Sequence, residues 1–351
     1  MSYLVTIEPI GEQIEVEEGQ TILDAALRSG VWLPFACGHG NCATCKIDLI
    51  DGEVDHGHAS DFALMDMERQ EGKILACCAT PLSDLVVEAD LEEEKDALRH
   101  SVGDFVGKVI AITDLTPSIK GFELEVDDSF KFQAGQYVNL TIEGVEGTRA
   151  FSIANAPQKT GILELHVRLV ERGAGTTWLH ENLQLGMELN FSGPYGNFFV
   201  RRSAAKPMIF IAGGSGLSSP KGMIEDLLAT GCTEQITLVH GCRNPKEVYF
   251  KSHFEALAVK YKNFEYFPVV GQSSEAWEGA VGYADNVLST RFGGRYEGSQ
   301  AYLCGPPPMV DSVINSLMKG RLFERDIFME NFFNNASDAP KKGSPLFKKI
   351  S

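Results

Sequence analysis

Cys37-x4-Cys42-x2-Cys45 places three thiols within nine residues, and a fourth, Cys77, follows after 31 intervening residues. Four thiolates at this spacing hold a [2Fe–2S] cluster. Such a cluster passes one electron at a time, so the rest of the chain must supply or accept single electrons. The run from Phe35 to Cys45 is rich in small residues, among them Gly38, Gly40 and Ala43. Glycine lets the backbone turn sharply and brings N–H groups close to sulfur, where they stabilise the negative cluster and tune its potential.

Other uses of these cysteines fit less well. Disulfides are not expected, because no secretory signal segment is read and a chain of 351 residues needs no stapling. Zinc wants two paired clips, and the far end offers only the adjacent Cys77 and Cys78. A Rieske centre needs two histidine ligands. Cys37-x-His39 supplies half of that pattern, and no histidine accompanies Cys45 or Cys77. The segment Ile74-Leu75-Ala76-Cys77-Cys78-Ala79 resembles the Leu-x-Cys-x-Ala pattern of plant-type ferredoxins. That resemblance selects Cys77 as the fourth ligand, leaves Cys78 as a small buried hydrophobe, and implies an α+β, β-grasp-like domain.

A second chemical motif is Arg149-Ala150-Phe151-Ser152. It resembles the Arg-x-Tyr-Ser flavin motif of the ferredoxin–NADP reductase superfamily, with Phe in place of Tyr. An arginine can pair with a pyrophosphate bidentately, an aromatic ring can cover an isoalloxazine, and a serine hydroxyl can reach the ring nitrogen that receives hydride. His166-Val167-Arg168 resembles the superfamily strand beside the flavin. His166 is read there as a packed strand residue rather than an acid. The run Gly173-Ala174-Gly175-Thr176-Thr177 resembles the glycine-led helix start that meets a pyrophosphate. The resemblance implies FAD.

A third group serves a nicotinamide. Gly213-Gly214-Ser215-Gly216-Leu217 follows the apolar run Ile209–Ala212 and precedes a helical pattern, which is the context a dinucleotide turn requires. Cys304-Gly305-Pro306-Pro307-Pro308-Met309 matches the superfamily's Cys-Gly-Pro-x-x-Met signature, with the thiol expected near the reacting nicotinamide carbon. Gly193-Pro194-Tyr195-Gly196 resembles a superfamily turn between the two halves. Arg243 and Lys246 could meet a 2′-phosphate, whereas Val270–Glu275 lacks the arginine typical of the NADPH branch and Glu275 would repel that phosphate. NADH is expected over NADPH. Near the end, Glu330 or Phe332 is expected beside the flavin ring, or else this segment is simply the last core strand.

Three sorts of element must position these groups. The runs Gly107–Leu115, Gly121–Val126, Gln136–Ile142, Arg149–Ala154 and Leu163–Val170 are short and β-rich, which predicts a small antiparallel barrel. From Pro207 the rhythm changes to strand–helix. Apolar runs at Met208–Ala212, Ile236–His240, Phe264–Val270 and Ala301–Cys304 alternate with helical patterns at Pro220–Ala229 and His253–Lys260, which predicts a parallel α/β sheet. The expected division is a ferredoxin domain over 1–98, a flavin barrel over 101–202, a nicotinamide domain over 203–335 and a polar tail over 336–351. The acidic stretch Glu88–Asp96 reads as a linker or short helix.

Charge is uneven. Residues 1–100 carry 6 Lys+Arg against 21 Asp+Glu, while residues 101–351 carry 25 against 27. Phosphate would be repelled, so nucleic acid is not an expected partner. No run of 18 apolar residues occurs, so no membrane helix is expected. The acidic module serves solubility or steers a basic redox partner.

The motif order resembles the reductase components of bacterial multicomponent oxygenases. Val31–Gly40 and Gly320–Glu330 are most similar to the branch serving phenol hydroxylases. The resemblance implies a cytoplasmic, monomeric enzyme in which NADH, FAD and the [2Fe–2S] cluster deliver electrons to a diiron hydroxylase acting on an aromatic ring. Ser152, Cys304 and Glu330 are the implied catalytic groups. Reductases for Rieske dioxygenases, alkane or alkene monooxygenases or a deoxysugar pathway share the module order. A non-enzymatic redox sensor would have no use for the nicotinamide signature.

Overall fold

The computed structural model describes residues 1–91 and 94–330. The chain divides into two compact units, one spanning Met1–Gly103 and one beginning at Asp104.

In the first unit, β1 (Ser2–Glu8) and β2 (Glu12–Glu17) pair as an antiparallel hairpin. Period-two alternation buries Val5, Ile7, Ile14 and Val16 on one face. Helix α1 (Ile22–Arg28) starts where Thr21 Oγ1 accepts the Asp24 N–H at 3.3 Å, and it buries Ile22, Leu23, Ala25, Ala26 and Leu27. An irregular loop runs to Cys45. Then come β3 (Lys46–Asp51), β4 (Val54–Asp55), α2 (Asp66–Gln70), β5 (Lys73–Leu75), β6 (Thr80–Pro81) and β7 (Leu85–Glu88). The main sheet has the order β2-β1-β7-β3-β5, with β1 and β7 parallel. The acidic stretch contributes Glu88 to β7, while Glu92 and Glu93 lie outside the described residues.

The second unit opens with β8 (Gly103–Thr116), β9 (Ile119–Glu125), β10 (Tyr137–Thr141), β11 (Thr148–Ser152) and β12 (Ile162–Arg168), followed by α3 (Ala174–Glu181) and β13 (Glu188–Tyr195). They form an antiparallel sheet of order β11-β10-β13-β8-β9-β12. An antiparallel bridge between Ile153 and Leu165 joins the two outer strands and closes the barrel. Strand β13 is not among the runs expected from sequence, and residues 193–195, expected as part of a turn, instead form its last three residues.

Strands β14 (Met208–Gly213), β15 (Ile236–Cys242), β16 (Phe264–Val270), β17 (Ala280–Val281), β18 (Gln300–Cys304) and β19 (Ile327–Glu330) form a parallel sheet. Helices α4 (Ser218–Ala229), α5 (Lys251–Lys260), α6 (Ala284–Phe292) and α7 (Pro307–Lys319) alternate with them. Every residue of β14 is buried, as expected of a central strand covered on both faces. Helix α7 begins on two prolines, suited to the first helical turn, and buries Val310, Val313, Ile314 and Leu317 at helical spacing. The barrel residues Ile119, Ala134, Phe198 and Val200 share one core with Phe210, Met223, Leu227 and Tyr302 of the α/β half. Among the described residues no helix is long and apolar enough to cross a membrane. Phe332 and the tail from 336 onward lie outside the described residues.

Candidate functional site

The cysteine loop is shaped by residues that accept the left-handed backbone region, Gly38 at φ +65°, Gly40 at +69° and Ala43 at +61°. A Cβ on Gly40 would lie 2.6 Å from Cys78 Sγ and 3.2 Å from Ala59 Cα, so only glycine lets the loop lie this close to its cover. The His39 N–H donates to Cys37 Sγ and the Cys37 N–H to Cys42 Sγ, each at 3.4 Å. The fourth thiol arrives from elsewhere in the sheet. The Ala76 N–H donates to the Cys45 carbonyl at 2.9 Å, and the start of α1 is tied to the same segment by Leu23 N–H to the Ala76 carbonyl at 2.9 Å. Cys45 Sγ and Cys77 Sγ consequently lie 3.2 Å apart.

The four thiols therefore pair two and two, Cys37 with Cys42 and Cys45 with Cys77. The hydrogen bond from Cys37 holds the Cys42 thiol well below its ordinary range, and the bond from Cys45 does the same for Cys77. The same bonds push their partners Cys37 and Cys45 up, so each pair shares one proton between two close sulfurs. Cys78 Sγ turns toward His58 Nε2, 3.6 Å away, and its thiol is pushed up by the hydrogen bond with Cys77 and by burial. Among the described residues no three His, Cys, Asp or Glu side chains surround a single-ion position. Two thiol pairs, three thiols from one turned loop and the fourth from the segment after β5, are instead the donor set of a [2Fe–2S] cluster, and the residues fit it.

In the second unit the predicted residues meet at a partly buried carboxylate. Glu330 closes β19 opposite Cys304 at the end of β18. Its Oε2 accepts from Ser152 Oγ at 3.0 Å, from Ser219 Oγ at 2.7 Å and from Cys304 Sγ at 3.5 Å. Burial pushes the Glu330 carboxyl up, and the three donors oppose that rise. Ser152 comes from the barrel, whereas Ser219 and Cys304 come from the α/β half. Sequence reasoning passed Ser219 over as a site residue, although it lies three residues after Gly216, where the third glycine of a Gly-x-Gly-x-x-Gly fingerprint would stand.

The two nicotinamide motifs touch backbone to backbone. From β14 the sheet order runs outward through β15, β16 and β17, then returns to β18 on the other side of β14. The turns after β14 and β18 thus flank the topological switch point, where open α/β sheets bind ligands. A Cβ on Gly216 would lie 2.3 Å from the Cys304 carbonyl oxygen, and one on Gly305 would lie 3.0 Å from Gly213 Cα. A Cβ on Gly213 would meet Pro306 and Met309 at 2.6 and 2.9 Å. Leu217 is buried beneath this turn, and Ser215 accepts from Ser218 Oγ at 2.9 Å through its carbonyl. Arg168, at the end of β12, brings its guanidinium within 3.3 Å of where a Gly214 Cβ would stand. Arg243 lies farther along, after β15, where its carbonyl accepts the Gln272 N–H at 2.9 Å.

Around the barrel, Arg149 turns its Nη1 onto the carbonyls of Glu146 and Thr148, at 3.0 and 2.9 Å. The start of α3 packs against it, since a Cβ on Gly175 would lie 3.1 Å from Arg149 Cγ. Arginine and glycine-led helix start are therefore neighbours, as a pyrophosphate site requires. Thr176 Oγ1 is engaged locally, accepting the Val170 N–H at 3.1 Å and donating to the Gly173 carbonyl at 3.2 Å. Thr177 donates its N–H to that same carbonyl at 2.9 Å. Phe151 packs against the barrel core, and Val167 is buried within it. His166 is buried, with Nε2 2.8 Å from Glu164 Oε1. The residues gathered here, an arginine beside a helix start and a serine beside a partly buried carboxylate, fit a flavin dinucleotide.

Three family models match successive stretches of the chain. A family model for a 2Fe-2S iron-sulfur cluster binding domain matches residues 5–82. An oxidoreductase FAD-binding domain model matches 106–200, and an oxidoreductase NAD-binding domain model matches 210–314. The chain is 58% identical over 353 residues to the phenol 2-monooxygenase reductase component DmpP of Pseudomonas sp. (strain CF600), covering 100% of both chains. It is 55% identical over 353 residues to the phenol hydroxylase P5 protein of Acinetobacter pittii (strain PHEA-2), again covering 100% of both. Among solved structures, the cytochrome P450 reductase GcoB of Amycolatopsis superposes with a TM-score of 0.86 at 32% identity, over 94% of this chain and 98% of that one.

Proposed function

This chain belongs to the family of iron–sulfur flavoprotein reductases that includes the phenol hydroxylase reductase components, and we propose that it delivers electrons from NADH to the hydroxylase component of a phenol monooxygenase. It is an NADH-dependent oxidoreductase with FAD- and [2Fe–2S]-binding domains. The observation that carries the reading is the meeting of Ser152, Ser219 and Cys304 on the Glu330 carboxylate, because it joins the flavin motif to both nicotinamide motifs at one point.

When bound, FAD accepts the two electrons of a hydride together and releases them singly, and the cluster carries single electrons onward. The chain's own residues hold and orient these groups. Arg149 and the α3 start bind the pyrophosphate. Ser152, whose hydroxyl is held by Glu330, would meet the reacting edge of a bound flavin. The turns at Gly213–Leu217 and Cys304–Met309 seat the dinucleotide, with Arg168 beside Gly214. Cys304 is buried and Glu330 partly buried, so the groups that would meet the reacting edges lie largely out of solvent. In the other unit, Cys37, Cys42, Cys45 and Cys77 hold the cluster. Division near residues 98–101 and 202–203 assigns one task to each domain, and the enzyme works in the cytoplasm.

The test is reconstitution. Purified protein, NADH, phenol and the hydroxylase component should yield hydroxylated product with NADH consumed in step. Reduction of an artificial one-electron acceptor without product would leave a reductase serving a different oxygenase.

A further inference from the structure

A second buried charge cluster lies beside the site, centred on Lys221 and Glu164. Lys221, only 5% exposed, stands in α4 directly after the glycine turn. Its Nζ donates to Glu164 Oε2 at 3.0 Å and to the Ala154 carbonyl at 3.2 Å, both in the barrel, and to Glu225 Oε2 at 3.3 Å. Glu164 also faces His166, which lies 3.4 Å from the Tyr249 hydroxyl, and that hydroxyl donates to the Gly214 carbonyl at 3.4 Å. Glu225 is in turn met by His253 Nε2 at 2.8 Å. The barrel and α4 touch closely here, since a Cβ on Gly222 would lie 2.8 Å from the Asn155 carbonyl oxygen.

A cation in this place is unfavourable on two counts. Burial removes its hydration, and the first turns of a helix carry the positive end of the macrodipole. Greasy packing would join the two halves at lower cost. What an ion pair adds is a fixed point. Lys221 is two residues from Ser219, which holds Glu330, and five from Gly216, which touches Cys304. The Lys221 ammonium therefore adds a direct polar tie from the helix segment that carries Ser219 and the glycine turn to β12 of the flavin barrel.

We propose that Lys221, clamped to Glu164, is a positioning residue for hydride transfer, setting the nicotinamide turn at its working distance from the flavin barrel. The inference rests on the reading of Ser152 and Gly213–Leu217 as the flavin and nicotinamide sites. Misplacing a bound reactant by about 1 Å slows reaction by up to the order of 100-fold without weakening binding in proportion.

The experiment uses the full chain with both cofactors. Lys221→Met keeps the aliphatic stem and removes the charge. Anaerobic flavin reduction by NADH is expected to slow by roughly 10- to 100-fold, with the half-saturating NADH concentration moving by less than about threefold. The change that NAD+ produces in the flavin's visible circular dichroism should be altered, a readout independent of turnover. The double variant Glu164→Gln/Lys221→Met replaces the pair by neutral groups. It should recover thermal stability and remain slow. A folded, FAD-bound variant of either kind with wild-type rate and wild-type dichroism response overturns the proposal. So does loss of FAD from both, which would make the pair a builder of the barrel. Wild-type protein that binds no FAD, or whose FAD is not reduced by NADH, sinks the underlying site reading instead.

Discussion

Ser152 Oγ donates to Glu330 Oε2 at 3.0 Å, across 178 positions of sequence, from the end of a barrel strand to the end of the described α/β sheet. The bond ties the hydroxyl proposed to meet the flavin to a carboxylate that also accepts from Ser219 and Cys304.

Glu330 gives the first prediction. Burial raises its carboxyl in the folded state, so the native protein holds that proton more tightly than the unfolded chain. Its contribution to stability is then greatest at low pH, and it falls as pH rises from the ordinary carboxylate range through the raised folded value. Glu330→Gln should flatten that part of the profile. Thermal melts between pH 4 and 8, on the order of the range in which raised carboxylates titrate, check this. A wild-type slope equal to that of the variant would count against the assigned burial effect. Ser152→Ala should retain FAD and slow its reduction by NADH.

The cluster ligands give the second. Cys77→Ala should abolish the [2Fe–2S] absorbance and EPR signal while FAD stays bound and reducible by NADH. Cys78→Ala should keep both signals, because its thiol points to His58 and Gly40. The reverse pattern would assign Cys78 as the ligand.

Arg149 gives the third. Removing a charge-assisted pair with a pyrophosphate should weaken FAD binding by about 1.5–3 kcal/mol, roughly one to two orders of magnitude in Kd. Titration of flavin-free wild-type and Arg149→Ala protein measures this directly. Equal affinity would remove Arg149 from the site.

The parts of this molecule legible in sequence were those whose chemistry is local. Three cysteines on one loop, Arg149 to Ser152 on one strand and Cys304 to Met309 on one turn each carry their purpose in adjacent residues. The strand runs were legible because β14 is continuously apolar and β16 and β18 are nearly so, broken only by Glu265 and Gln300. What was not legible depends on distant pairing. Lys221 reads as an ordinary helix residue until Glu164 is placed beside it by the barrel, and Ser219 gains its role only from Glu330. The expectation that Phe332 approaches the flavin falls outside the described residues, whereas Glu330, weighed beside it, stands among the gathered groups.

Charge placement gives the fourth prediction. Residues 1–100 hold 21 Asp+Glu against 6 Lys+Arg. If this surface steers the hydroxylase, electron delivery at limiting partner should fall as salt rises, since screening at physiological ionic strength acts over about 8 Å. Flavin reduction by NADH, which uses the near-neutral remainder, should change less on the same preparation. A flat salt response with docking rate-limiting would leave the acidic surface to solubility alone.

The most direct test of the account is hydroxylase-coupled turnover in wild-type and Cys42→Ala protein, side by side. Wild type should couple NADH oxidation to phenol hydroxylation. Cys42→Ala should oxidise NADH through its flavin yet deliver no electrons to the hydroxylase. Undiminished phenol hydroxylation by a Cys42→Ala protein without a cluster signal would contradict the route from NADH through FAD and the [2Fe–2S] cluster.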